Sequence, residues 1–154
     1  MKHLVGRLSV SDNEAVFSLS AFVEVENSYV DTIFLMSIKK HSGAKESMKF
    51  NALELRALLH SFKLQAQDRS YRYSKKSGGS GSLCTLTTYS NDTYNYIGLK
   101  KKFELQISLK EFEIIGLYQE LTLLCDSAAD ALHTSQKYYD RKAKMVIEKQ
   151  KEDI

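Results

Sequence analysis

The sequence predicts an α+β protein in which two antiparallel four-stranded sheets are each followed by a helix. Three observations favour this class: strand-like alternation occurs in both halves, a strand-to-helix motif recurs, and 154 residues suffice for one sizeable core. The motif copies occupy 48–55 and 105–112, so equivalent positions lie 57 residues apart. We therefore expect a single domain over 1–125, built of half-repeats 1–62 and 63–125.

Each copy of the motif is typical of a capping box that is entered from a strand. In the first copy, Asn51 would accept a hydrogen bond from an N–H of the first helical turn, and Glu54 would bond to the N–H of Asn51. In the second copy, Ser108 and Glu111 would make the same pair of bonds. Both helices should therefore begin at these cap residues.

Alternating apolar residues separated by polar turns predict the strands of the first half. The predicted strands are 3–10, 15–25, 32–40 and a short segment that ends at Phe50. The first helix should run from Asn51 to about residue 62. One of its faces is apolar at helical spacing and belongs to the core. This face contains Leu55, Leu58, Leu59 and Phe62.

The second half repeats the order. Its predicted strands are 69–74, 83–89, 94–99 and 103–107, and a helix follows from Ser108. We expect the glycine-rich segment between the first two to be a hairpin loop, because it leads into a strand and lacks the Gly-Lys-Ser/Thr ending of a phosphate loop.

The Asp126-Ser127 step predicts a break that leaves an additional C-terminal helix within residues 126–154. From residue 125 onward, apolar residues recur at heptad spacing, which is typical of a coiled coil. They are Cys125, Leu132, Tyr139 and Val146. Homo-oligomerisation through this helix and partial docking of the helix on the body are both open.

Composition indicates a soluble globular protein. The apolar fraction is 43%, the charged fraction is 27%, and no segment approaches the length of a transmembrane helix. We expect an intracellular protein without a membrane partner. The two cysteines lack CxxC spacing, so Cys84 in a strand and Cys125 in a helix should be reduced and buried.

Positive charge is concentrated in the middle of the chain. The formal net charge is only +3, yet residues 63–102 carry eight basic side chains against two acidic ones. Five of the nine tyrosines share this stretch. Because cations bind phosphates and aromatic rings stack on unpaired bases, the composition is typical of a surface for single-stranded nucleic acid. A solvated sheet face with tyrosines that favour strands is the alternative interpretation.

Catalytic and metal-binding patterns are missing from the sequence. The histidines are scattered and show no metal-ligand spacing. They are His3, His41, His60 and His133. No GxSxG or Cys/His signature is present either. We therefore expect no enzymatic activity, no metal and no cofactor.

The element order, together with the junctions at 50–54 and 107–111, resembles the Whirly superfamily and the related positive-cofactor-four coactivators. The resemblance covers residues 1 to about 124. Members of that superfamily typically bind single-stranded DNA or RNA on antiparallel sheets. The resemblance implies nucleic-acid binding by the sheet faces without catalysis.

We expect the protein to bind single-stranded DNA or RNA, with DNA favoured and with little sequence specificity. The expected phosphate ligands are Arg72, Lys75, Lys76, Lys100, Lys101 and Lys102. The expected stacking residues are Tyr71, Tyr73, Tyr94 and Tyr96. Side chains alternate along a strand, so Arg72 should point away from its two tyrosine neighbours. The contrasting hypothesis is a non-enzymatic assembly protein that uses its C-terminal helix.

Overall fold

The computed structural model describes residues 2–26, 29–64, 69–77, 82–90 and 95–152. The first half contains β1 (Lys2–Ser11), β2 (Ala15–Glu26), β3 (Tyr29–Lys40), β4 (Lys45–Phe50) and α1 (Ala52–Leu64). The second half contains β5 (Arg69–Ser77), β6 (Ser82–Ser90), β7 (Asn95–Lys100), β8 (Glu104–Leu109) and α2 (Glu111–Glu152). The order of four strands and a helix therefore occurs twice, as the sequence predicts.

The strands form two separate antiparallel sheets. The N-terminal sheet has the order β1-β2-β3-β4, and the C-terminal sheet has the order β5-β6-β7-β8. Every strand pairs with its neighbour in sequence, so each sheet is a simple meander. The α+β class and the two four-stranded sheets are confirmed.

Each sheet has one buried and one more exposed face, because successive side chains on a strand point to opposite sides. In β2, Phe17 and Leu19 are fully buried, while the intervening Ser18 is only half-buried. In β7, Ile97 and Leu99 are buried in the same way. Residues from both sheets and both helices join one hydrophobic cluster. The inner face of each sheet therefore contributes to a shared core.

The capping box predicted at the start of α1 is confirmed. The Asn51 Oδ1 accepts the Glu54 N–H at 2.8 Å, and the Glu54 Oε1 accepts the Asn51 N–H at 3.0 Å. The helix then buries Leu55, Leu58 and Leu59 as expected. The fourth residue of the predicted apolar face, Phe62, has a side chain outside the described part of the structure.

The capping box predicted at Ser108 and Glu111 is wrong. Strand β8 continues to Leu109, which is buried and pairs with Asn95 of β7, so Ser108 is an exposed strand residue. The N-cap position is Lys110, two residues later than predicted. There the Glu113 Oε1 accepts the Lys110 N–H at 3.0 Å, which is one half of a capping box. Burial of Leu109 therefore sets the end of the strand.

The additional C-terminal helix predicted after Asp126 is not present, because α2 is one continuous helix of 42 residues. Neither Asp126 nor Ser127 is a strong helix breaker. Asp126 also forms an ion pair of 2.9 Å with Arg56 of α1, and Ala128 is buried in the core. Tertiary contacts of Asp126 and Ala128, on both sides of the expected break, thus keep the chain helical across it.

Helix α2 lies close against the N-terminal sheet. Its buried residues are Leu117, Leu121, Leu124, Cys125 and Ala128. A Cβ atom on Gly6 of β1 would come within 2.8 Å of the Leu124 Cδ1, so any other residue there would require the end of the Leu124 side chain to shift. From residue 136 onward, every described side chain of α2 is exposed.

Two carboxylates of the N-terminal sheet bind backbone N–H groups of the C-terminal sheet. The Asp12 Oδ1 accepts the N–H groups of Glu14 and Ala15 in its own turn, while the Oδ2 accepts the Ser108 N–H of β8 at 2.9 Å. Burial raises the pKa of Asp12, but the bonds from Ser108, Glu14 and Ala15 outweigh it and lower the pKa below its ordinary value. This contact joins residues 96 positions apart.

The second carboxylate belongs to Glu46 of β4, which is buried. Its Oε1 accepts the N–H groups of Lys102 and Phe103 at 3.2 and 3.0 Å. These two bonds fix the turn between β7 and β8 against the edge of the N-terminal sheet.

Among the described residues, no helix is both long and apolar enough to cross a membrane.

Candidate nucleic-acid interface

The outer face of the C-terminal sheet carries cations, hydroxyl groups and aromatic rings. Its central rows follow from the strand register: Arg72 lies opposite Thr87, Thr85 lies opposite Lys100, and Tyr89 lies opposite Tyr96. On the other side of each strand lie buried residues such as Leu86 and Leu99. We call this surface the basic outer face. It includes Arg72, Lys76, Leu83, Thr85, Thr87, Tyr89, Tyr96, Gly98, Lys100 and Glu104.

Tyr89 and Tyr96 form a stacked pair on the basic outer face. Their ring centroids are 5.6 Å apart and their planes differ by 22°. The two residues pair directly across β6 and β7, which brings the rings together. Both side chains are partly exposed. The pair therefore presents partly exposed aromatic rings on a sheet face that also carries polar side chains and the exposed Leu83.

Arg72, Lys76 and Lys100 are the cations of the basic outer face, and all three are exposed. Within the described part of the chain, none of them forms an ion pair. Lys100 lies directly opposite Glu104 of β8, which is also exposed. Arg72 and Lys76 face Thr87 and Leu83, so their positive charge is available to bind an anionic ligand, whereas the neighbouring Glu104 carboxylate offsets part of the charge of Lys100.

Lys101 and Lys102 extend the positive charge beyond the sheet. They lie in the β7–β8 turn, and both side chains are exposed. The Lys102 Nζ lies 5.5 Å from the centre of the Phe103 ring. Because Glu46 holds this turn through backbone N–H groups, the lysine side chains are not needed to keep its shape.

Tyr73 and Lys75 point to the inner side of the same strand, away from the basic outer face. Tyr73 donates its hydroxyl proton to the Glu54 Oε2, and the Lys75 Nζ lies 3.2 Å from the Glu54 Oε1. Lys75 also lies 5.6 Å from the centre of the Phe50 ring. Both residues thus connect β5 to the start of α1, and their polar groups already have partners within the protein.

Glu54 is the centre of this inner contact. Its burial raises the pKa, but the hydrogen bonds from Tyr73, the Asn51 N–H and Lys75 outweigh that effect and lower the pKa below its ordinary value. The ionised carboxylate is therefore the form that caps α1 and binds the Tyr73 and Lys75 side chains of β5. This role is structural, since all three donors belong to the protein itself.

The structure brings together only part of the predicted site. Arg72, Lys76, Lys100 and Tyr96 share the basic outer face, with Lys101 and Lys102 at its margin. Tyr94 and the side chain of Tyr71 lie outside the described residues. Arg72 points away from its neighbour Tyr73, as strand alternation predicts.

Sequence reasoning did not select Tyr89, Thr85 or Thr87 for this surface. Tyr89 lies in the same basic stretch, but its pairing with Tyr96 depends on the register of two strands. The threonines alternate with buried residues of β6, which is the signal that places them on the outer face.

Two cysteines and an apolar cavity lie away from the basic outer face. Cys84 and Cys125 are both free and buried, and burial raises the pKa of Cys125 to about 11. Across residues 2–26, 29–64, 69–77, 82–90 and 95–152, no three potential metal ligands come together. A cavity of about 190 Å³ between α1, α2 and β3 is mostly apolar, and its lining includes Leu53, Cys125 and Leu132.

Comparison with known proteins gives no assignment. No protein-family model matches the chain, and a search of curated proteins finds no significant match.

Proposed function

We propose that the protein binds single-stranded nucleic acid on the basic outer face and performs no catalysis. The proposal is supported by one observation: exposed cations outside any ion pair within the described residues lie on the same sheet face as a stacked tyrosine pair. Cations bind the phosphates of any sequence, and ring faces stack on any unpaired base. Low sequence specificity is expected for this combination.

The contacts divide by chemistry. Arg72, Lys76 and Lys100 bind phosphates along the face, and Lys101 and Lys102 continue this path at the turn. Arginine adds a planar guanidinium that can bind a phosphate with two hydrogen bonds, whereas each lysine acts as a point charge.

The rings of Tyr89 and Tyr96 stack on the unpaired bases. Tyr73 and Lys75, which the sequence suggested as ligands, are left out because Glu54 already binds both.

Single strands are favoured over duplexes because the aromatic surface can act only on unpaired bases. In a duplex the base faces are stacked on one another, so only phosphate contacts remain. The two four-stranded antiparallel sheets support the proposal further, since they agree with the Whirly-like architecture that the sequence resembles. DNA is favoured over RNA as the ligand.

Fluorescence anisotropy with labelled oligonucleotides tests this proposal. A single-stranded oligonucleotide should bind more tightly than a duplex of the same length. Its affinity should fall with salt, at a log–log slope of roughly −0.7 per neutralised phosphate. Equal or tighter duplex binding, or affinity independent of salt, would contradict the proposal.

A second candidate function is self-assembly through the distal part of α2. Every described side chain of α2 from residue 136 onward is exposed, including Tyr138 and Met145. In proteins, helices gain most of their stability from packing of an apolar face rather than from helix propensity. The heptad positions Cys125 and Leu132 line the apolar cavity, and positions Tyr139 and Val146, whose side chains lie outside the described part, continue the repeat. A second copy of α2 is the partner that fits a repeat of this kind.

Analytical ultracentrifugation over a concentration series separates this candidate from a monomeric protein. The wild type should gain mass with concentration, while a variant with Tyr139→Glu and Val146→Glu should remain monomeric. A matched variant with Lys137→Gln and Arg141→Gln changes the charge by the same amount at two exposed positions of the same segment that lie off the heptad seam, and it should behave like the wild type. Equal masses for all three proteins would contradict the hypothesis of self-assembly through this repeat.

A further inference from the structure

Gly98 occupies the centre of the basic outer face. It lies on β7 between Tyr96 and Lys100, which project from the same side of the strand. On the flanking strands it is paired with Thr87 and Gln106. A layer of side chains therefore surrounds a position that has no side chain.

Neither backbone conformation nor packing accounts for glycine at this position. Among the described glycines, only Gly43 has a positive φ, of 111°, so Gly98 has a backbone that other residues can adopt. A Cβ atom on Gly98 would lie 3.4 Å from the Leu105 carbonyl oxygen and 3.7 Å from the Gln106 Cβ, which are ordinary contacts. The third neighbour within 4 Å is the Thr87 carbonyl oxygen at 3.9 Å. All three atoms belong to flanking strands of the same sheet.

Glycine in the interior of a strand weakens it and often marks a place where a ligand approaches the backbone closely. Here the missing side chain leaves a notch in the outer layer, and its floor is the backbone of Gly98. Tyr96 and Lys100 bound the notch along the strand, with their Cα atoms about 13 Å apart at about 3.3 Å per residue. This distance leaves room for one flat ring system between them.

The chemistry around the notch suits a nucleotide. Tyr96 provides an aromatic surface at one end, and Lys100 provides an exposed cation for a phosphate at the other. Thr87 on one side carries a hydroxyl that can donate a hydrogen bond to a base edge or accept one from it. The notch therefore combines stacking, charge and hydrogen bonding within a single residue position.

We propose that the notch over Gly98 is a base-binding subsite that receives one unpaired nucleobase of a bound single strand. This inference rests on the proposed nucleic-acid function and adds the position at which a base approaches the sheet. The base lies over the Gly98 backbone beside Tyr96, and its phosphate is bound by Lys100. A side chain at position 98 would occupy the space of the base while leaving the cations unchanged.

The test fills the notch and measures binding and folding separately. Gly98→Thr should fold with an unchanged or higher melting temperature, because threonine favours strands more than glycine does. Its affinity for a single-stranded oligonucleotide should fall about tenfold, which is the loss expected when about one stacked base is removed. Gly98→Ala should lose less affinity and takes the place of the threonine variant if that variant does not fold. Ser37→Thr, on the outer side of β3, is the matched control and should bind like the wild type.

An oligonucleotide with abasic sites shows whether a base fills the notch. The wild type should bind it more weakly than the intact strand, and Gly98→Thr should bind it as well as the wild type does. If the wild type binds no single strand, the proposed function itself fails. If the wild type binds single strands but Gly98→Thr binds them with the same affinity, the base subsite is overturned while the function stands. The same holds if Gly98→Thr loses as much affinity, relative to the wild type, for the abasic strand as for the intact strand.

Discussion

Asn51 and Ser108 occupy matching places in the sequence motif but have different surroundings in the fold. The Asn51 side chain satisfies an N–H group at the start of α1, whereas the Ser108 side chain is exposed on β8. Asn51→Ala should therefore lower the free energy of unfolding by about 0.5–2 kcal/mol, the usual cost of losing an N-cap.

Urea denaturation of the two single variants measures this difference. Ser108→Ala should change the free energy of unfolding by no more than about 0.5 kcal/mol, as is usual for an exposed position. A large loss in the Ser108 variant, or none in the Asn51 variant, would contradict the two assignments.

Glu54 makes the stability of the protein depend on pH. Because its pKa in the folded state lies below the ordinary value of 4.5, its contribution is fully present above that value and is lost as the pH falls through the folded-state pKa. Stability should therefore decline with acid below about pH 4.5, and Glu54→Gln should decline less steeply than the wild type.

Urea midpoints measured from pH 7 down to pH 3 check this prediction. Glu120→Gln removes an exposed carboxylate of α2 and should keep the acid dependence of the wild type. Identical acid profiles for the wild type and the Glu54 variant would show that the contact with Tyr73 and Lys75 does not favour the ionised form.

At the scale of an element, the lysine-rich end of β7 should contribute charge without supporting the fold. Replacing Lys100, Lys101 and Lys102 with alanine should leave the melting temperature nearly unchanged, because Glu46 holds the turn through its backbone. Affinity for single strands should fall, and the salt slope should become less steep by about 2, or about 0.7 for each phosphate that is no longer neutralised.

A triple variant of the N-terminal sheet provides the matched control. Lys39, Lys45 and Lys49 are exposed on its outer side, so their replacement with alanine removes the same charge from a different face. The control should keep a salt slope closer to that of the wild type. Equal losses in both triple variants would mean that only the overall charge of the protein matters.

At the scale of the whole molecule, the shared core predicts that both sheets unfold together. Cys84 lies in the C-terminal sheet and Cys125 on the helix that covers the N-terminal sheet, and both are buried. Thiol labelling in increasing urea, read by peptide mass spectrometry, should give one midpoint for both cysteines. Labelling of one thiol at a clearly lower urea concentration would indicate two independent units.

The local sequence pattern was sufficient to predict the strands, the sheet class and the cap at Asn51, because these features depend on alternation and on neighbouring residues. The late end of β8 was not predictable, since it depends on burial of Leu109 against a partner strand. The break expected at Asp126 failed for a related reason: contacts with α1 and the core outweigh small differences in helix propensity.

The sequence predicted which segment contains the candidate site but not which of its side chains share one face of the sheet. Charge and tyrosine content identified residues 63–102, and alternation separated Arg72 from Tyr73. Which side of β5 faces the core depends on packing against Glu54 and α1, so the sequence could not exclude Tyr73 and Lys75. The pairing of Tyr89 with Tyr96 depends on strand register, which a single sequence does not reveal.

The bond between Asp12 and the Ser108 N–H has a consequence for solubility. Strand β8 is an edge of its sheet, and an unpaired N–H at an edge is where a strand of another molecule can attach and begin aggregation. Asp12 occupies that donor with a charged group, so an incoming strand would have to displace a carboxylate and bury its charge. The turn between β1 and β2 thus occupies one donor of a distant edge, 96 residues along the chain, and makes intermolecular pairing at that residue unfavourable.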